Sequence, residues 1–159
     1  MNKIFLMVKL LSILTFAFSL SGCIQTNPSH RASITGNIIT NVNAQGNLCF
    51  APDFSTATLM NKSVEDRLKF IKLSSIQLRD NEVVKNSKVI WSVVPNAKNV
   101  YNLKNKQSIC MNQSYESLKL QKDNILKPQI YTISLYGMDD TNSYNVRFND
   151  NFEYSIQKK

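Results

Sequence analysis

The stretch LKPQIYTISLYG, residues 126–137, decides the fold. Leu126 and Pro128 read as a turn, and from Tyr131 the apolar side chains recur at every second position through Ile133 and Leu135. A period of two belongs to a half-buried strand, because successive side chains of an extended chain point to opposite faces. A leucine and a proline ahead of a tyrosine that opens a strand is also the pattern of the tyrosine corner in Ig-like sandwiches, where the phenol hydroxyl returns to the backbone upstream. The step from Leu126 to Tyr131 is a residue shorter than the commonest corner. The stretch therefore reads either as such a corner or as a plain strand with a half-buried tyrosine.

The same periodicity runs outward through most of the chain. Ser33 to Val42, Asn47 to Ala51, Lys69 to Arg79, Lys88 to Val94, Gln107 to Met111 and Ser143 to Ile156 carry it, separated by clusters of Asn, Gly, Pro, Asp and Ser. The Asn149-Asp150-Asn151 triplet predicts a break in the last of these. In FIKLSSIQLR, residues 70–79, the apolar phase switches between Leu73 and Ile76, which predicts a β-bulge at Ser74-Ser75. Ser63 ahead of Val64-Glu65-Asp66-Arg67 predicts one helical turn with a serine cap. About seven short strands without a long helix predict an all-β chain, a single antiparallel Ig-like β-sandwich.

The first residues are of another kind. Lys3 and Lys9 precede an apolar run from Leu10 to Leu20 that ends in Ser21-Gly22-Cys23, the charged, apolar, small order of a secretory signal. The run is too short to span a bilayer, which needs about 20 apolar residues. Extending it back to Ile4 would place Lys9 in the hydrocarbon, at roughly 2.5 to 3.5 kcal/mol. Leu20-Ser21-Gly22-Cys23 resembles the lipobox of bacterial lipoproteins, in which the cysteine is acylated and the chain is cut before it. The expected organisation is a signal peptide over 1–22, a lipidated tether over 23–31 and a β-domain over 32–159. Lipid on Cys23 would hold the protein to a bacterial membrane, and Ile24 in place of a retention aspartate favours the periplasmic face of the outer membrane.

Export changes how the remaining thiols behave. With Cys23 acylated, Cys49 and Cys110 remain, and an oxidising compartment favours a disulfide between them over two buried free thiols. If their sulfurs point into the core, Leu48, Phe50, Ile109 and Met111 point the other way. That outer face is then either covered by a loop or exposed as a protein interface, with Phe50 and Met111 as its candidate partner-binding residues.

Composition and chemistry exclude several classes. Without Lys3 and Lys9, 17 basic residues stand against 11 acidic ones, an excess of +6 with no block of like charges. The excess reads either as a solvated coat or as attraction for an acidic partner; an exported lipoprotein rarely meets nucleic acid. The only histidine, His30, lies in the tether, so neither a catalytic triad nor a zinc site is expected. Asp139 and Asp140 sit at a hairpin tip, and Glu65 and Asp66 share one turn, so no catalytic carboxylate pair is expected either. Gly36, Gly46 and Gly137 form no phosphate loop, and the Asn61 and Asn112 glycosylation triplets are chance matches in a bacterial lipoprotein. No cofactor and no enzymatic activity are expected.

The lipobox, the GNLCF strand, the QSICM strand and PQIYTISLYG followed by YNVRF together resemble a family of small lipoproteins described as type VI secretion immunity proteins. The resemblance covers nearly the whole chain after Cys23, apart from the Ser63 segment and residues 149–159. It implies a periplasmic β-domain that binds and neutralises an effector toxin delivered by a neighbouring cell, with Cys23, Cys49 and Cys110 as the residues carried over. The other reading of the chain is a structural or accessory lipoprotein of the cell envelope.

Overall fold

Period-two segments of Val, Ile, Leu and aromatic residues pair into strands wherever one face has a core to cover, and among the described residues ten strands form, three of them only two residues long. The computed structural model describes residues 32–80, 87–97, 99–123 and 126–155. In chain order the strands are β1 (Ser33–Val42), β2 (Leu48–Leu59), β3 (Lys62–Ser63), β4 (Ile71–Asp80), β5 (Val89–Pro95), β6 (Asn102–Leu103), β7 (Ile109–Cys110), β8 (Leu118–Asp123), β9 (Gln129–Asp139) and β10 (Asn145–Tyr154). Among the described residues a 3-10 turn at Glu65–Arg67 is the one helical element. The fold is all-β as expected, and the described residues hold three more strands than the seven anticipated.

The strands run in the order β3-β2-β1-β10-β9-β4-β5-β8, with β7 also on β2 and β6 also on β4. All pairings are antiparallel except that of β1 with β10, which is parallel from Ser33↔Asn145 to Asn37↔Asn149. Between β2 and β5 the order has five strand-to-strand steps, which at about 4.8 Å each would separate them by about 24 Å in a flat sheet. Yet the rings of Phe50 on β2 and Trp91 on β5 lie 5.7 Å apart, and Phe50 also lies 5.8 Å from Phe152 on β10. The sheet therefore curls back on itself into two facing layers, and the core is what lies between them: Phe50, Phe54, Ile76, Leu78, Trp91, Ile133, Leu135 and Phe148 are all buried.

Segment β6 to β7 closes the sandwich. Asn102 and Leu103 pair with Lys72 and Ile71 of β4, whereas Ile109 and Cys110 pair with Phe50 and Cys49 of β2, so the intervening residues cross from one layer to the other. The strap is also fixed where β2 is irregular. Between Asp53 and Thr58 the ladder to β1 is interrupted, and Asn105 and Lys106 supply the missing partners: Asn105 Oδ1 accepts from the Phe54 N–H at 2.9 Å, and the Lys106 N–H donates to the Pro52 carbonyl at 2.9 Å. A proline-containing strand thus keeps its backbone satisfied through a loop that is distant in sequence.

Several local expectations are met. Tyr131 is buried, and its hydroxyl accepts from the Lys127 N–H at 2.9 Å and donates to the Lys127 carbonyl at 3.0 Å, which is a tyrosine corner. Register between β4 and β9 shifts between Leu73 and Ser75, which is the expected bulge. Two expectations need correction. β10 runs without a break through Asn149-Asp150-Asn151, paired with β9 at every position from Asn145↔Met138 to Tyr154↔Gln129. Asn151 is directly opposite Thr132, whose hydroxyl lies 2.7 Å from its Oδ1, and this cross-strand bond outweighs the low strand propensity of the triplet. Ser63 lies on β3 and Val64 takes the cap position, although the Ser63 hydroxyl accepts a long bond from the Glu65 N–H at 3.5 Å; Val64 and Leu68, both buried, hold the turn against the core.

Candidate functional site

The two expected cysteines face each other across β2 and β7 and form the disulfide Cys49–Cys110. Bonding around them explains the match. The neighbouring pair is joined by the Met111 N–H donating to the Leu48 carbonyl at 2.8 Å, while the Cys110 N–H turns away from β2 to the Tyr115 hydroxyl at 2.8 Å. Cys49 and Cys110 are therefore a non-hydrogen-bonded antiparallel pair, the kind in which side chains approach most closely.

Their orientation is the reverse of the expectation. Leu48, Phe50, Ile109 and Met111 belong to the hydrophobic core, and the sulfurs lie on the opposite side, where the Asn43 amide lies 3.8 Å from Cys110 Sγ. Both faces of this strand pair are covered, because Cys49 and Cys110 are buried as well. Phe50 and Met111 thus offer no exposed face to a partner: the first packs on Trp91 and Phe152, and the second is 5% exposed. Neither reading of an outer apolar face applies, because these four side chains form part of the core itself.

Cys23 and His30 lie outside the described residues. Among the described residues no group of three His, Cys, Asp or Glu side chains is placed to hold a metal ion, and no helix is long and apolar enough to cross a membrane.

The expected acids are dispersed. Glu65 and Asp66 are exposed on the 3-10 turn. Asp139 is buried and ties together the hairpin between β9 and β10: Oδ1 accepts from the Tyr144 N–H at 2.7 Å, and Oδ2 accepts from the Thr141 N–H at 3.3 Å and from the Thr141 hydroxyl. Burial by itself would raise its pKa; the Thr141 hydroxyl and the N–H groups of Tyr144, Thr141 and Ser143 together outweigh burial and hold the carboxyl below the ordinary aspartate value. A carboxyl depressed in the folded state stabilises the fold above its unfolded pKa of about 3.9, and that stability is lost as pH falls through the lower folded value. Asp139→Asn is therefore expected to lower stability at neutral pH by roughly 1 to 3 kcal/mol. The cost should shrink below about pH 4. Urea denaturation of both proteins between pH 7 and pH 2 measures it, and a constant difference across that range would refute the assignment.

Beside this hairpin the sandwich end opens into a cavity of about 100 Å³, lined by Ile34, Leu59, Val64, Arg67, Leu68, Asp139, Asp140, Thr141 and Tyr144. Four separate segments meet there: the start of β1, the end of β2, the 3-10 turn and the β9–β10 hairpin. The lining is mixed: Ile34, Leu59, Val64, Leu68 and Tyr144 supply apolar and aromatic surface, and Arg67, Asp139, Asp140 and Thr141 supply polar groups. Arg67 is exposed at the wall, and neither it nor Asp140 has an ion-pair partner among the described residues. Next to Leu59, the β2–β3 hairpin turns through Met60 and Asn61 with Leu59↔Lys62 as its last pair, and both turn residues have positive φ, 50° and 63°. Such a two-residue turn suits Asn and Gly. Met60 is neither, and it is 77% exposed. Sequence reasoning placed the turn after Ser63 and the hairpin tip at Asp139-Asp140 but did not bring them together, because the lining residues are far apart in the chain.

Compared with family models, with curated proteins and with solved structures, the chain matches none.

Proposed function

We propose that the chain is a lipid-anchored periplasmic immunity protein that binds a type VI secretion effector toxin and blocks it stoichiometrically. The observation that carries this reading is the disulfide Cys49–Cys110 in a chain whose residues 1–22 read as a lipoprotein signal ahead of Cys23. A structural bridge of this kind persists in an oxidising compartment, which agrees with export and with a lipid on Cys23. Binding is favoured over turnover by how the buried carboxylates are used. Asp139 organises a hairpin, and Asp80 accepts from the Lys88 N–H at 2.5 Å, so both act as backbone acceptors within the fold. The resemblance to immunity lipoproteins supplies the partner class.

The test is genetic. Deleting the gene is expected to sensitise cells to kin that deliver the toxin encoded beside it, and to leave them unaffected by kin that lack the secretion apparatus. Reintroducing the wild-type gene should restore survival. Cells that stay resistant without the protein would remove the immunity reading and leave that of an accessory envelope lipoprotein.

A further inference from the structure

We infer that the outward face of the layer β8-β5-β4-β9-β10 lies against the anionic phospholipid headgroups of the membrane that holds the lipid anchor. The inference rests on the lipidated Cys23 of the reading above and is independent of the toxin.

Register sorts the side chains of this layer. Residues directly opposite each other in a sheet share a face, and neighbours along a strand alternate between faces. Ile76, Leu78, Ile133, Leu135 and Phe148 are in the core, so Gln77, Ser134 and Asn149, paired in one row across β4, β9 and β10, face outward. By the same register Arg79 opposite Thr132, Arg147 opposite Tyr136 and Lys72 opposite Met138 hold outward positions. So do Lys122 opposite Ser92 and Lys119 opposite Val94, because Val93 between them is buried. Five cations thus share one face. Among the described residues the one carboxylate at an outward position of these strands is that of Glu153, near the end of β10. Asp80, Asp123, Asp139 and Asp150 hold register positions of the core face, opposite Tyr131, Trp91, Ile71 and Ile133.

Neutral atoms orient three of these cations. Arg79 donates to Gln77 Oε1 at 3.0 Å and to the Ser87 carbonyl at 3.5 Å. Arg147 Nε donates to Asn149 Oδ1 at 3.1 Å, and its guanidinium lies 5.6 Å from the centre of the Tyr136 ring. Lys72 Nζ donates to Asn142 Oδ1 at 2.9 Å. An amide oxygen aims a cation without neutralising it, so the charge stays available to an anion. Side chains already held in place lose little further freedom on meeting a phosphate, and a guanidinium can take two phosphate oxygens at once.

Two observations select a membrane over a protein as the occupant. The cations spread over four strand-to-strand steps, about 19 Å, and the row between them is made of Gln77, Ser134 and Asn149. A tight protein interface gathers around an apolar or aromatic centre with its charges at the rim. This face has a polar centre instead, which suits separate phosphates arrayed in a plane. The second observation is attachment. Ser33 opens β1 in the row Ser33-Asn145-Met138-Lys72, so the chain enters the domain at the level of Lys72. Residues 23–31 ahead of it reach at most about 32 Å from the anchor. Headgroups are then always within reach, and individually weak attractions act as intramolecular ones that turn this face toward the bilayer.

The experiment reconstitutes the full-length lipoprotein in vesicles of phosphatidylcholine, with or without phosphatidylglycerol, and reductively methylates its lysines, which keeps their charge. Mass spectrometry reads the rate at each lysine. Lys72, Lys119 and Lys122 are expected to react about threefold or more slowly on the anionic vesicles, whereas Lys62 on β3 and Lys104 after β6 react equally on both. Salt at about 1 M, which shortens the screening length to about 3 Å, should erase the difference. Arg147→Glu combined with Lys119→Glu should erase it at Lys72 and Lys122 with thermal unfolding unchanged. Equal rates on the two vesicles, or a slowing spread evenly over all five lysines, would overturn the inference and leave the anchor standing. Slowing of Lys72, Lys119 and Lys122 by the toxin encoded beside the gene, and not by anionic lipid, would assign the face to the toxin and overturn it too. Protein that fails to float with phosphatidylcholine vesicles would remove the anchor itself, and this inference with it.

Discussion

Replacing Cys49 and Cys110 together by alanine is expected to lower the unfolding free energy by about 4 kcal/mol, the loop-entropy value for cysteines 61 residues apart in sequence. That is a large part of the 5 to 15 kcal/mol that holds a typical domain together. The location of the bridge adds a specific consequence. It joins β2 to β7, and β7 ends the strap that crosses from β4, so its loss frees the closure of the sandwich before it frees the main sheet. Hydrogen exchange should show early loss of protection at Ile109 to Met111 and at the Phe54 N–H, which depends on Asn105. β9 and β10, with Tyr131 anchored to Lys127, should remain protected longest. Uniform loss of protection in the double variant would show that the strap has no independent role.

Phe50→Ala is expected to cost about 3 to 5 kcal/mol, the usual range for truncating a buried phenylalanine. The ring bridges the two layers by touching Trp91 from one and Phe152 from the other, so its removal opens a cavity where the sheet closes on itself. Chemical denaturation with tryptophan fluorescence reports it directly, since Trp91 is the chain's only tryptophan. A variant with unchanged stability but weakened toxin binding would return Phe50 to the interface role that its sequence context suggested.

That context shows where reading the chain succeeded and where it failed. β1, β4 and β9 each have one wetter face, and their alternation was legible down to the bulge at Ser74. Leu48 to Pro52 are buried without interruption, and a strand covered on both faces loses the alternation that would tell inside from outside. The cysteine pairing was therefore legible while its phase was not. β8 was missed for the opposite reason. It is an edge strand in which Leu118 is buried but Leu120 is 49% exposed, and its lysines keep that edge polar. The continuation of β2 past Pro52 depends on Asn105, about fifty residues away, and no local pattern encodes a partner at that distance. The cavity at the sandwich end was illegible on the same ground, because four segments supply it.

The parallel pairing of β1 with β10 also has a mechanical consequence. Parallel neighbours start at the same end of the sheet, so the beginning of β1 and the finish of β10 lie at opposite ends of the ribbon they share. A pull between the chain ahead of Ser33 and the chain after Tyr154 therefore slides the two strands lengthwise past each other. Every rung from Ser33↔Asn145 to Asn37↔Asn149 bears that load at once. Antiparallel terminal strands would peel apart one rung at a time under the same force. Force applied across the two ends of the domain is therefore met by shear along five rungs together rather than by unzipping.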